Sequence, residues 1–105
     1  MNVEIYIYNF NALNMTHDET PTHLGHIEVE RFDAEEIFNM CNWICWAEEK
    51  PKNLYANIDC CGHGLCLLNP ETQDVWLAKS FGWLVGKQEV IDEYVREHKH
   101  RLVWE

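Results

Sequence analysis

The sequence predicts a single α+β domain over residues 1–105, with an antiparallel sheet of about five to six strands and two helices packed on one face. Three observations predict this class. Short segments are rich in β-branched and aromatic residues, and two longer segments repeat apolar residues at helical spacing. The elements follow one another in the order ββαβββαβ, which favours an antiparallel sheet over a parallel one.

The first third of the chain predicts two strands and a long loop. Residues 3–10 are largely apolar on both faces of a strand, which is typical of a central position in a sheet. Residues 11–22 are polar and have no period, so we expect a loop there. A second strand is predicted over residues 24–31, with Ile27 and Val29 facing inward and acidic side chains facing outward.

The first helix has the clearest local signal. Asp33 and Glu36 stand at the N-cap and N3 positions of a capping box, so the helix is predicted to begin at Ala34. It is predicted to stop before Pro51, because the residue that precedes a proline is disfavoured in helical geometry. Its apolar face comprises Ile37, Met40, Cys41, Ile44 and Cys45.

The remaining elements are three or four further strands, a second helix and a terminal strand. Strands are predicted over residues 54–60, 65–68, 75–78 and 81–85, and the last two could form one bent strand. A turn is predicted at 69–71, and a short terminal strand at 102–104. The second helix is predicted over residues 87–99. Its buried positions are Val90, Ile91, Tyr94 and Val95.

The charge of the chain restricts its partners. Eighteen acidic residues against eight basic ones give a formal net charge of -10. Such a field repels phosphate backbones and anionic membranes and attracts basic surfaces. We therefore expect no direct binding to nucleic acid or membrane, and we expect a protein partner with a basic nucleic-acid-binding surface.

Composition indicates an ordered protein of the cytoplasm. The chain is 47% hydrophobic and 12% aromatic, whereas disordered acidic chains are poor in aromatic residues. The N-terminal segment has no basic flank and no small-residue cleavage site, so no secretory signal is expected. Five cysteines without an export signal indicate reduced thiols rather than a disulfide framework.

The acidic residues form two groups. Residues 18–36 hold seven carboxylates against the single Arg31, and a second set recurs at every fourth position of the second helix. Carboxylates four helical residues apart rise about 6 Å per step, nearly twice the rise of about 3.4 Å per phosphate along a DNA strand. The alternative is that these side chains only solvate the protein. The candidate partner-binding residues are Glu28, Glu30, Glu35, Glu36, Glu89, Glu93 and Glu97.

A cysteine and histidine cluster supports an alternative function. Cys60, His63 and Cys66 have the spacing of zinc ligands, so the chain is alternatively a small metal-binding accessory protein. The set would need a further ligand from His23 or His26, or a second pair from Cys41 and Cys45. The structural alternative is that Cys60 and Cys66 are core residues, in which case no cofactor is expected.

A thiol enzyme and an aromatic interface are two further interpretations. Cys61 with His63 as base would suit nucleophilic catalysis, but no third group is marked to orient the histidine, so we expect no enzyme. Trp43 and Trp46 lie at the edge of the first helix's apolar stripe, with Phe38 nearby, as in an interface hot spot. A wide buried face explains the same pattern.

The first half of the chain resembles a domain of the ArdA-type antirestriction proteins. The resemblance covers residues 4–60 and comprises Ile5-Tyr6-Ile7 before an Asn-rich loop, Leu24-Gly25 before residues 27–30, Phe32-Asp33 before Glu35-Glu36, and residues 54–59. Those proteins are acidic mimics of DNA that block restriction enzymes, and small acidic phage-encoded anti-CRISPR proteins share the same general profile. The resemblance implies a non-enzymatic inhibitor encoded by a phage or mobile element and acting in the host cell cytoplasm. A homodimer is compatible with this interpretation.

Overall fold

The β-branched and aromatic segments of the chain form its strands. The computed structural model describes residues 1–42, 49–58 and 64–100. The strands of this part of the chain are β1 (Asn2–Ile7), β2 (Phe10–Asn11), β3 (Thr16–His17), β4 (Thr22–Glu28), β5 (Leu54–Ala56), β6 (Leu65–Leu68), β7 (Val75–Ala78) and β8 (Trp83–Gly86). Its helices are α1 (Ala34–Cys41) and α2 (Gln88–His98).

Six of the strands form one antiparallel sheet in the order β5-β4-β1-β6-β7-β8, which confirms the predicted α+β class. β1 is an interior strand between β4 and β6, as its two apolar faces predict. β6 and β7 have the predicted bounds, whereas β8 begins two residues later than predicted. The predicted turn at Asn69 is present, because the backbone N–H of Gln73 donates to the Asn69 carbonyl at 2.8 Å.

The predicted loop over residues 11–22 contains part of a second, two-stranded sheet. β2 pairs with β3, and the turn between them begins with the Asn11 side chain, whose Oδ1 accepts a hydrogen bond from the Leu13 N–H at 2.9 Å. Met15 adopts a φ of 56°, which completes the turn. Two-residue strands are too short to show alternation, so the sequence pattern does not reveal them.

α1 begins as the capping box predicts. The Asp33 carboxylate accepts a hydrogen bond from the Glu36 backbone N–H at 3.2 Å, and the helix starts at Ala34. Ile37 and Cys41 are buried, and Met40 is partly buried. The helix packs through these side chains against the sheet.

α2 matches its prediction to within one residue at each end. Ile91 and Val95 are fully buried, and Tyr94 is partly buried. Val90, predicted to be buried, is 52% exposed because it lies beside Gly86 at the sheet edge. None of the helices formed by the described residues has the length and apolar character needed to cross a membrane.

The two helices cover opposite faces of the sheet, so the prediction that both pack on one face is wrong. Residues paired directly across strands share a face. Ile5 pairs with Leu67, and both belong to the core cluster that contains the buried side of α1. Cys66 pairs with Leu77, and both belong to the cluster that contains the buried side of α2. Since β6 and β7 carry apolar side chains on both faces, each face needs its own cover.

Three predictions fall outside the described residues. They are the part of the first helix predicted over residues 43–48, residues 59–60 of the strand predicted at 54–60, and the terminal strand at 102–104. Within the described residues α1 ends at Cys41 with Asn42 as its C-cap and β5 ends at Ala56, so both elements stop short of their predicted ends.

Candidate binding surfaces

An open depression of about 580 Å³ lies between the end of β4 and α1. Its lining combines acidic side chains, apolar side chains and one arginine, namely Glu28, Glu30 and Glu36, Val29, Ile37 and Met40, and Arg31, together with Asn53. The three glutamates are exposed. Part of the first acidic group predicted from the sequence is therefore brought together around one depression.

Glu35 lies apart from that depression. Its carboxylate accepts a hydrogen bond from the indole Nε1–H of Trp83 on β8 at 2.9 Å. Trp83 in turn makes edge contacts with Phe38, at 5.8 Å between ring centroids, and with Trp76, at 5.9 Å. Glu35 thus joins α1 to the edge strand, and its charge is partly committed to a contact within the protein.

The second acidic group lies on the outer side of α2. Glu89, Glu93 and Glu97 are all exposed, and their i, i+4, i+8 spacing places them along one ridge. Arg96 is exposed on the same helix. The spacing predicted from the sequence is therefore present in the structure.

The two acidic groups do not form one continuous surface. Glu36 is on α1 and Glu93 is on α2, and these helices cover opposite faces of the sheet. Of the seven candidate carboxylates, six remain when Glu35 is set aside. Within the described part of the chain, no cation lies within ion-pair distance of these six. The six residues are Glu28, Glu30, Glu36, Glu89, Glu93 and Glu97.

A third surface, which the sequence analysis did not identify, is the half of the sheet face that extends beyond α2. On this face β6, β7 and β8 carry apolar side chains such as Leu77, which lie under the helix. β1, β4 and β5 carry aromatic, histidine and acidic side chains instead. Two cross-strand rows form this half: Tyr55, His26 and Glu4 in one, and His23 with Tyr6 in the other.

Side chains within these rows contact one another. His26 stacks on Tyr55 at 5.0 Å between ring centroids with an interplanar angle of 28°, and His23 lies 5.0 Å from Tyr6. The Nε2 of His23 is 3.0 Å from a carboxylate oxygen of Glu4. The sequence contains each residue, but only the strand order brings them onto one surface.

The structure describes only some of the candidate metal ligands. Cys60 and His63 lie outside the described residues, while Cys66 is buried on the α2 face, where burial raises the pKa of its thiol. Cys41 is buried on the α1 face, so the sheet lies between Cys41 and Cys66, and the two do not share a metal site. Among the described residues no group of three or more metal-ligating side chains occurs.

Several other candidates lie outside the described residues. Cys61, Cys45, Trp43 and Trp46 are among them. The described member of the predicted aromatic interface, Phe38, is partly buried and packs against Trp83.

Partly buried hydrogen bonds anchor α2 to Tyr8, the residue that follows β1. The hydroxyl of Tyr8 donates to the Asp92 carboxylate, and Gln88 Nε2 donates to that carboxylate at 2.9 Å and to the Tyr8 hydroxyl at 3.1 Å. Burial, followed by the hydrogen bond to Asp92, raises the pKa of Tyr8 above its usual range. The hydroxyl therefore stays protonated and acts as a donor that orients the helix.

Family models, curated proteins and solved structures give no match to this chain.

Proposed function

We propose that this protein is a non-enzymatic inhibitor that binds the basic nucleic-acid-binding surface of a host defence protein, such as a restriction enzyme or a CRISPR effector. The proposal includes an origin in a phage or mobile element and action in the host cell cytoplasm. It extends the resemblance of residues 4–60 to ArdA-type antirestriction proteins.

One observation carries the proposal: the exposed carboxylates lack neutralising partners. The chain has a net charge of -10, and six exposed glutamates have no ion-pair partner among the described residues. Like charges at helical i, i+4 spacing cost a few tenths of a kcal/mol per pair, roughly, so the ridge on α2 is mildly unfavourable in the free protein. A basic partner surface would remove that repulsion and add attraction.

The position of the glutamates also suits imitation of a phosphate row. Glu89, Glu93 and Glu97 are separated by about 6 Å per step along the axis of α2, close to the spacing of every second phosphate on one DNA strand. Because Glu36 lies on the helix that covers the opposite side of the sheet, a single partner surface would not engage Glu36 together with the ridge on α2.

The proposal is tested by protection and competition. Bacteria that carry a restriction or CRISPR system and express the protein should plate unmodified or targeted phage at higher efficiency than bacteria with an empty vector. The purified defence protein should lose its bound DNA as the inhibitor is added, and high salt should weaken the inhibition. Absence of protection across a panel of such systems, or direct binding of the protein to DNA, would contradict the proposal.

A further inference from the structure

The open half of the α2-side sheet face has the composition of a recognition surface. It comprises Glu4, Tyr6, His23, His26 and Tyr55 on the adjacent strands β1, β4 and β5. Tyr55 is 51% exposed, and the side chain of His23 is 52% exposed. The side chains on a water-facing sheet face are ordinarily charged or small and polar, whereas this face presents four rings beside a carboxylate.

The rings are held in place by contacts across the strands. His26 and Tyr55 stack on each other, and Tyr6 packs on one side against the core under α2 and on the other against His23. Because strand pairing fixes these side chains, they would lose little conformational freedom when a partner binds. Rigid aromatic side chains of this kind are enriched at the energetically dominant positions of interfaces.

The carboxylate of Glu4 gives the surface its charge preference. One of its oxygens lies 3.0 Å from His23 Nε2, and the other has no hydrogen-bond partner among the described residues. A planar guanidinium stacks on aromatic faces and donates to carboxylates in the same plane, whereas an ammonium group acts as a point charge. The net charge of -10 adds long-range attraction for a cationic segment.

We infer that this sheet face binds an arginine-containing segment of the basic partner, with guanidinium groups contacting the exposed ring of Tyr55 and donating to Glu4. The inference rests on the proposed function and names the surface and the side chain that it recognises. It differs from the acidic groups on α1 and α2, which contribute charge without aromatic faces.

Two fluorescein-labelled peptides of equal length and charge test the inference, one with arginine and one with lysine at every cationic position. Fluorescence anisotropy should show tighter binding of the arginine peptide by about two- to five-fold, since guanidinium–ring contacts at exposed sites have that strength. Tyr55→Ala and Glu4→Gln should each weaken arginine-peptide binding by about two- to five-fold.

Two control variants match these changes elsewhere on the protein. Glu71→Gln, in the exposed turn between β6 and β7, removes the same charge as Glu4→Gln, and Val90→Ala trims a side chain that is 52% exposed, close to the exposure of Tyr55. Both controls should change binding of the arginine peptide by less than about two-fold. Circular dichroism melts of all four variants would show that each remains folded.

Chemical-shift changes provide a second measurement that does not depend on the variants. Ring protons of Tyr55, Tyr6, His23 and His26 should shift on addition of the arginine peptide, and backbone amides of the turn at residues 69–73 should not. Equal affinity for both peptides, or shifts confined to α2, would overturn the inference and leave the proposed binding of a basic partner intact. Sedimentation experiments could instead show that the protein forms a dimer, that Tyr55→Ala weakens this dimer, and that neither peptide binds. That result would also overturn the inference.

Arginine-peptide binding at this face without phage protection would instead support the surface and contradict the proposed function. The two conclusions therefore fail on different measurements.

Discussion

Substitution of Gly25 by alanine should detach β5 from the sheet. Gly25 has a φ of +145°, and a Cβ built on it would lie 2.0 Å from the Tyr55 carbonyl oxygen and 2.6 Å from the Cα of Ala56. Both contacts are to backbone, so no side-chain rotation relieves them. β5 would have to move away from β4, which removes the pairing of residues 25–27 with 54–56.

The expected loss of stability has two parts. A non-glycine residue at this φ costs about 1–3 kcal/mol. Displacement of β5 partly exposes Leu54, which is 2% exposed in the native protein, and burial of a leucine contributes about 1.5–3 kcal/mol. Gly25→Ala should therefore lower the free energy of unfolding by about 3–5 kcal/mol, a large part of the roughly 5–15 kcal/mol typical of a domain.

Gly82→Ala is the matched control. Gly82 has a φ of +88°, but a Cβ there would have no heavy atom within 4 Å, so only the backbone term applies, about 1–3 kcal/mol. Urea denaturation followed by tryptophan fluorescence and far-UV circular dichroism measures both variants. If the two lose the same stability to within about 0.5 kcal/mol, the close approach of β5 to Gly25 is refuted.

Further predictions address the buried contacts, the acid limit and the acidic ridge. Tyr8→Phe should lower stability by about 2 kcal/mol, because it removes a hydrogen bond to the Asp92 carboxylate, while Tyr6→Phe should change it by less than about 0.5 kcal/mol in the same urea assay. The hydrogen bond from Lys87 lowers the pKa of Asp74, so the stability from this pair is present above the ordinary aspartate pKa of about 4 and is lost as pH falls below it; the acid limb of a pH–stability profile should be shallower in Asp74→Asn. Cys66→Ala should cost about 1–2 kcal/mol through lost packing, with a melting temperature that EDTA does not change; stoichiometric zinc by elemental analysis that disappears in this variant would establish the alternative metal site instead. Charge reversal of the ridge formed by Glu89, Glu93 and Glu97 should weaken inhibition and leave the fold intact.

Local signals account for the parts of the fold that the sequence predicts well. The Asp33 cap places the start of α1 at the correct residue, because capping is decided within four residues. The bounds of β6 and β7 follow from short apolar runs that are flanked by turn residues, and the turn at Asn69 separates the two strands. Helical spacing locates Ile91 and Val95 on the buried side of α2.

Features that depend on distant parts of the chain are not predicted. The requirement for glycine at position 25 arises from a strand some thirty residues later, and the surface that joins Tyr55 to Glu4 exists only because β5 pairs with β4 and β4 with β1. The placement of the two helices on opposite faces of the sheet can, in principle, be predicted from the sequence. β6 and β7 are apolar on both faces, and such strands require cover on both sides.

The opposite placement of the helices makes the contributions of the two acidic groups separable. A triple reversal to lysine on α2 leaves the depression at the end of β4 unchanged, and the converse change in Glu28, Glu30 and Glu36 leaves α2 unchanged. Glu35 is left out of the second set, because its reversal would also break the hydrogen bond from Trp83.

The triple reversal on α2 should therefore lose protection against phage while the other triple variant keeps most of it, since a single basic surface contacts one side of the sheet and like charges across that contact cost several kcal/mol. Both variants should melt within a few degrees of the wild type. In the assay with purified defence protein, both variants could lose inhibition equally at low salt and regain it at physiological salt. That result would indicate that only the overall field matters, because attraction between exposed charges more than about 8 Å apart is screened at physiological salt. Full protection by both variants would contradict the acidic-surface mechanism and direct attention to Tyr55 and Tyr6 on the open sheet face.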